Sequence, residues 1–150
     1  MNDFAAKFPA AFAGLIALVA VALAIGSGYA TAGMGQTVGL AIYFAIFAAA
    51  GFAASFATQA GKGTAILAMI VAALITGAAY YAIVSSTMSG ATEALSTGVG
   101  ADGDAGAEAG GILGTFMGVV VAIVAMGDAL VAGIGGAVAG SKLKAQITGR

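Results

Sequence analysis

Residues 110–140 read GGILGTFMGVVVAIVAMGDALVAGIGGAVAG, an apolar run broken by one charged side chain, Asp128. The run is more than long enough to cross a hydrocarbon core of about 30 Å, which takes about 20 helical residues. It lacks the segments of about ten alternating apolar and polar residues that a membrane β-barrel requires. In lipid the backbone must satisfy its own hydrogen bonds, so helix is the local solution even where glycine is abundant. The stretch predicts a membrane-spanning helix with one carboxylate inside it.

Three further apolar segments precede it, at about Pro9 to Tyr29, Thr37 to Thr58 and Thr64 to Ser85, each close to the length one crossing needs. The connections between these three are short, which makes neighbours antiparallel. Ser86 to Ala109 reads as the one long loop. It is small, polar and acidic, with Glu93, Asp102, Asp104 and Glu108 and no basic residue. The fold class that follows is an all-α integral membrane protein: a single four-transmembrane-helix bundle over residues 1–150 with one acidic extracytoplasmic loop.

Composition agrees. The chain has 150 residues, of which 61% are hydrophobic and only 7% charged, and its mean hydropathy is +1.09. Soluble domains carry about a quarter charged residues. So little charge argues against disorder, coiled coil and nucleic-acid binding. With no Cys and no His, disulfides, Cys/His metal sites, haem ligation and Ser–His–Asp or Cys nucleophiles are excluded. No cofactor and no catalytic residue is expected. Gly133, Ile134, Gly135 and Gly136 superficially resemble a nucleotide-binding motif, but no strand precedes them and no phosphate-binding lysine completes them.

The basic residues are Lys7, Lys62, Lys142, Lys144 and Arg150. With four spans, all of them fall on one side, and the acidic loop falls on the other. By the positive-inside rule this places both termini and Lys62 in the cytoplasm, or in the interior of a membrane-bearing particle. Lys7 ahead of an apolar run, with Ala30, Thr31 and Ala32 after it, has the outline of a signal peptide. The run is long for a signal core, and an uncleaved first span is expected. Ala30 to Thr37 is echoed approximately by Ala57 to Thr64, a match that Ala/Gly/Thr-rich sequence readily produces.

Small residues four apart let helix backbones approach closely, and in lipid such packing takes over from the hydrophobic drive. Ala22 with Gly26, Gly114 with Gly118, and Gly136 with Gly140 have this spacing. They are expected at helix contacts, within one bundle or between subunits. Tyr80 and Tyr81, beside the acidic loop, are candidates for a quinone or partner contact.

Asp128 is the one ionisable residue inside an apolar span. A carboxylate in hydrocarbon costs several kcal/mol unless it meets water, a partner or a cation. Its position along the span depends on where the span is bounded: interfacial if Gly110 marks the outer boundary, deep if Lys142 marks the inner one. Oxygen-only ligation by Asp128 with Thr37, Thr64 or Thr76 would suit a proton or sodium ion.

Four Ala/Gly-rich spans with a carboxylate in the last, together with Ala24, Ile25, Gly26, Ser27, Gly28, Tyr29, Ala30, Thr31, Ala32 and Gly33, resemble the rotor proteolipids of rotary ATPases over a small part of the chain. In that family a carboxylate in the outer helix of each hairpin carries the proton or sodium ion. This chain lacks the family's polar cytoplasmic turn, Asp128 precedes rather than follows a Gly-rich helix, and the acidic loop lies on the other side. The leading expectation is a small non-enzymatic membrane protein acting through helix packing, as a structural or accessory subunit of a complex, particle or filament. Its partners would be the bilayer and either copies of itself or other membrane subunits. The alternative is a conducting subunit that uses Asp128.

Overall fold

The computed structural model describes residues 7–31, 36–57, 61–96 and 103–149. Four long helices account for nearly all of them: α1, Pro9–Ala30; α2, Gln36–Ala57; α3, Lys62–Ser96; and α4, Gly103–Thr148. Each contains a stretch long and apolar enough to cross a membrane: Pro9–Ala30, Thr37–Ala57, Lys62–Ala91 and Gly111–Thr148. The protein is thus all-helical, with four candidate membrane spans.

Local chemistry sets the helix ends. Pro9 opens α1, where its missing N–H would have had no helical partner and its fixed φ suits the first turn. At the other end the Thr31 amide donates to the Ser27 carbonyl at 2.9 Å, and the Thr31 hydroxyl donates to the same oxygen at 2.8 Å. α2 starts close by. A Cβ at Gly39 would stand 3.1 Å from Thr31 Oγ1, so glycine there lets the two helix ends meet. At the start of α3, the Gly61 carbonyl accepts from the Thr64 amide at 2.9 Å.

The expected long loop at 86–109 is corrected. α3 continues to Ser96 and α4 begins at Gly103, while residues 97–102, including Asp102, lie outside the described residues. The helix accommodates the hydroxyls of this stretch. Ser85 and Ser86 donate to the carbonyls of Ala82 and Ile83, and Thr87 and Ser89 to those of Ile83 and Ser85. Bonded back onto their own helix, these side chains leave the backbone ladder intact where Ser and Thr otherwise favour turns. At the other end, Lys142 and Lys144 lie on α4 itself rather than beyond it.

The chain divides into two compact units. The first comprises the residues up to Ile75 together with Gly127 onward, and the second Thr76–Met126. In the first, α1 borders α2 along a groove from Phe12 to Leu23 and from Ile46 to Ala53. It borders α3 along another, from Ala10 to Leu18 and from Thr64 to Ile75. α4 lies on α2, with Gly136 against Ala48 and Phe52 and Gly140 against Ser55 and Phe52. It also lies on α3, with the Met69 side chain over Gly133. α1 and α3 therefore run one way, α2 and α4 the other.

The core of this unit is made of small residues. Ala13, Ala17, Ala20, Ala24, Ala50, Ala54, Ala65, Ala72, Ala73, Ala129, Ala132 and Ala137 are buried, and Phe47 and Met69 are the large side chains fully enclosed. Large aliphatics point outward instead: Leu15, Leu18, Leu23, Leu67 and Leu74 are all exposed. Small residues inside and large ones outside suit a lipid solvent, where close backbone approach is what holds helices together. In water so continuous an apolar surface would drive association. The exposed aliphatics fit contact with lipid.

The second unit pairs the later part of α3 with the earlier part of α4, antiparallel. Gly77 lies against Ala122 and Met126, Gly118 against Tyr81, and Gly114 against Met88 and Ser85. A leucine at Gly118 would have to displace the Tyr81 ring, whose nearest atom is 3.1 Å from a Cβ at that position. We expect Gly118→Leu to cost about 1–2 kcal/mol. Gly26, with open space around it, should accept leucine with a change within about 0.5 kcal/mol. Thermal midpoints of the two variants in one detergent would compare them, and equal midpoints would contradict the packing described.

Candidate functional site

Of the small-residue pairs expected at helix contacts, two are engaged within the chain. Gly114 and Gly118 face α3, and Gly136 and Gly140 face α2. Ala22 and Gly26 are exposed on α1. A further open set lies on α4: Gly127 and Gly135 each have open space where a Cβ would stand, and between them Val131 is 67% exposed.

Asp128 is half-buried beside this set. The next residue, Ala129, is fully enclosed, while Val124 and Val131, one turn to either side, are 56% and 67% exposed. Asp128 thus occupies the edge of the buried stripe of α4, with part of its surface turned out of the bundle. No hydrogen-bonding side chain is adjacent to it on α4, since Met126, Gly127, Ala129 and Leu130 surround it in sequence.

Its height follows from register. The Gly136 and Gly140 contacts place Asp128 near the level of Tyr43 on α2, and the Gly133–Met69 contact places it near Leu74 on α3. At 1.5 Å per residue it is about 18 Å along the axis from Lys62 and about 9 Å from the level of Thr37. Gly140 packs beside Ser55, close to the end of α2 at Ala57, so Lys142 marks the lysine end of the bundle. Asp128 therefore stands level with the interior of α2 and α3 rather than with an end of either. Tyr43 near its level is buried, and its ring meets that of Phe47 at 5.1 Å, tilted by 52°.

Thr37 and Thr64, two of the threonines named with Asp128, are far apart in the bundle. Thr37 opens α2 and is exposed, whereas Thr64 lies near the start of α3, half-buried at the edge of a groove with α1. Because α2 and α3 run antiparallel, these two are at opposite ends of the bundle, roughly 30 Å apart along the axis. They cannot ligate one ion together. Thr76 is fully buried and belongs to the other compact unit. Tyr81 has its ring over Gly118 and is engaged in packing.

Charge is ordered in the first unit. Lys7 precedes α1, Lys62 begins α3, and Lys142 and Lys144 lie in the last turns of α4, so four lysines collect at one end of the four helices. Glu93, Asp104 and Glu108 lie on the extended parts of α3 and α4. Among the described residues, no group of three or more His, Cys, Asp or Glu side chains is placed to hold a metal ion.

Comparison with protein-family models, with characterised proteins and with solved structures gave no match.

Proposed function

We propose that the protein is a non-enzymatic subunit of a membrane assembly, built from copies of itself or with other membrane subunits, and that the flank of α4 around Asp128 is where chains meet. The observation that carries this reading is a half-buried carboxylate well inside an apolar helix, between two glycines with open space beside them. Lipid offers no hydrogen-bond donor to such a group, and insertion scales put its exposure near the span centre at about 2.5–3.5 kcal/mol. The lysines of the spans, Lys62, Lys142 and Lys144, lie toward the lysine end, about 18 Å or more from its level along the axis. A neighbouring helix packed on Gly127, Val131 and Gly135 would exclude lipid from the carboxylate and supply donors to it. In this reading the lysine end faces the cytoplasm or particle interior, as the positive-inside rule requires.

Conduction is the second reading, favoured by the same half-exposed carboxylate. Thr37 and Thr64, at opposite ends of the bundle, cannot both serve it, which leaves Thr76 or oxygen ligands from a second chain.

Single cysteines test both association and orientation, since the chain has no native cysteine. Val131→Cys is expected to cross-link copies of the chain or a partner in native membranes. Leu74→Cys, near the same level but on α3, is expected not to. Ser141→Cys should be labelled only from the cytoplasmic side. A monodisperse monomer in nanodiscs, with no cross-linking at Val131→Cys, would defeat the assembly reading, and labelling of Ser141→Cys from outside would reverse the orientation.

A further inference from the structure

The groove between α1 and α3 differs from the rest of the surface in what stands at its mouth. Its volume is about 460 Å³, and it is lined by Ala10, Gly14 and Leu18 on one side and Thr64, Ala68 and Val71 on the other, among other residues; Thr64 is the one lining residue with a polar side chain. From Thr64 to Ile75 it runs about 16 Å along the axis, close to half of a hydrocarbon core of about 30 Å. That is the depth of one leaflet. At the mouth, Lys7 stands two residues before Pro9, and Lys62 is the first residue of α3; both are exposed. Gly61 and Gly63, beside Lys62, have open space around them.

We infer that this groove holds one acyl chain of an anionic glycerophospholipid from the surrounding bilayer, with its phosphate held between Lys7 and Lys62. Charge complementarity selects this occupant. Lys7 and Lys62 stand at the starts of the two helices that frame an apolar groove one leaflet deep, and a lipid phosphate with its chain has the matching order of charge and hydrocarbon. The direction of the helices adds to the preference, because α1 and α3 both begin at the mouth and present the positive ends of their dipoles there. The neighbouring groove between α1 and α2, about 440 Å³ and also apolar, is framed by the start of one helix and the end of the other. Its dipole ends oppose one another, and α2 ends at Ala57 with no basic residue in its last turn. An anionic head group therefore has reason to prefer the first groove over the second.

The inference rests on the membrane placement of the four spans, but not on the assembly reading. The groove can also be blocked without disturbing the fold. A Cβ at Gly14 would meet nothing within 4 Å, so Gly14→Phe can project into the groove while the bundle stays intact. Gly26→Phe, equally open and not among the residues lining this groove, serves as its control.

The experiment uses the full-length protein in nanodiscs containing equal amounts of dioleoylphosphatidylglycerol and dioleoylphosphatidylcholine, followed by release into mild detergent and native mass spectrometry of retained lipid. Wild type should retain one phosphatidylglycerol in preference to phosphatidylcholine. Lys7→Gln and Lys62→Gln should each weaken retention about fivefold, and roughly 25-fold together. Gly14→Phe should abolish retention, while Gly26→Phe should leave it as in wild type. Equal retention of the two lipids would overturn the inference, as would unchanged retention in Gly14→Phe. Displacement of the lipid by soluble glycerol phosphate would show that the head group binds without the groove, and would overturn it as well. A protein that alkaline carbonate extracts from membranes would instead overturn the membrane placement, a result read separately from lipid retention.

Discussion

Gly136→Leu is expected to be the most damaging single substitution in the bundle. A Cβ at this position would run into the backbone carbonyl of Ala48 and the backbone nitrogen of Phe52. Neither atom can rotate aside as a side chain can, so α4 would have to move off α2. Gly51 stands in the reciprocal relation to Gly133 and Ala137 on α4, and the two helices are therefore in backbone contact from both sides. Overpacking a side-chain interface costs about 1–3 kcal/mol, and a backbone interface belongs at or above the top of that range. Against a total stability of about 5–15 kcal/mol, that is a large share. Even Gly136→Ala should destabilise, because the clash begins at Cβ. The midpoint of unfolding by a denaturing detergent, followed by helical circular dichroism, should fall sharply for Gly136→Leu and Gly51→Leu and hold for Gly26→Leu. Unchanged midpoints in the first two would show that α2 and α4 are not packed as described.

Glycine spacing alone could not have separated these outcomes. Ala22 with Gly26 and Gly136 with Gly140 have the same four-residue interval, yet the first pair is exposed and the second is packed against a neighbouring helix. In a soluble helix the polar face would mark the outside. Here alanine faces in and leucine faces out, both apolar, and the periodic signal that identifies a buried face disappears. The four spans themselves were legible because continuous apolar runs of such length have few alternatives. Their ends were less so. Ser86 to Ser89 read as the start of a loop, because the sequence does not reveal that the hydroxyls there bond back to their own helix. The separation of Thr37 from Thr64 was available from the sequence: alternating span directions put the first residues of consecutive spans at opposite ends. The burial of Tyr43 beside Phe47, by contrast, depends on which face of α2 meets its neighbours, and nothing in so uniform a helix announces it.

Asp128 is where the two functional readings separate, and the useful comparison is among Asp128→Lys, Asp128→Asn and Asp128→Leu. Near the centre of a span, Asp and Lys have similar insertion costs, about 2.5–3.5 kcal/mol each. Exchanging one for the other should leave membrane insertion nearly unchanged. Its effect on association should be large, since donors arranged for a carboxylate would face an ammonium, and like-facing donors at a close interface cost several kcal/mol. Asp128→Lys is therefore expected to insert normally and lose the assembly. Asp128→Asn keeps the size and most of the hydrogen bonding, so it should assemble like wild type. Asp128→Leu should insert more readily, by about 3 kcal/mol, and associate less well, because the donors opposite would be left unpaired. Oligomer mass in nanodiscs reads association, and carbonate-resistant membrane recovery reads insertion. If Asp128→Lys keeps the wild-type oligomer, the flank around Asp128 is not where chains meet. Proton and sodium flux into vesicles decides the rival. Flux in wild type that disappears in Asp128→Asn, with the oligomer unaltered, would make Asp128 the titrating site of a conductor, because that substitution removes the charge that attracts the ion while leaving the packing in place.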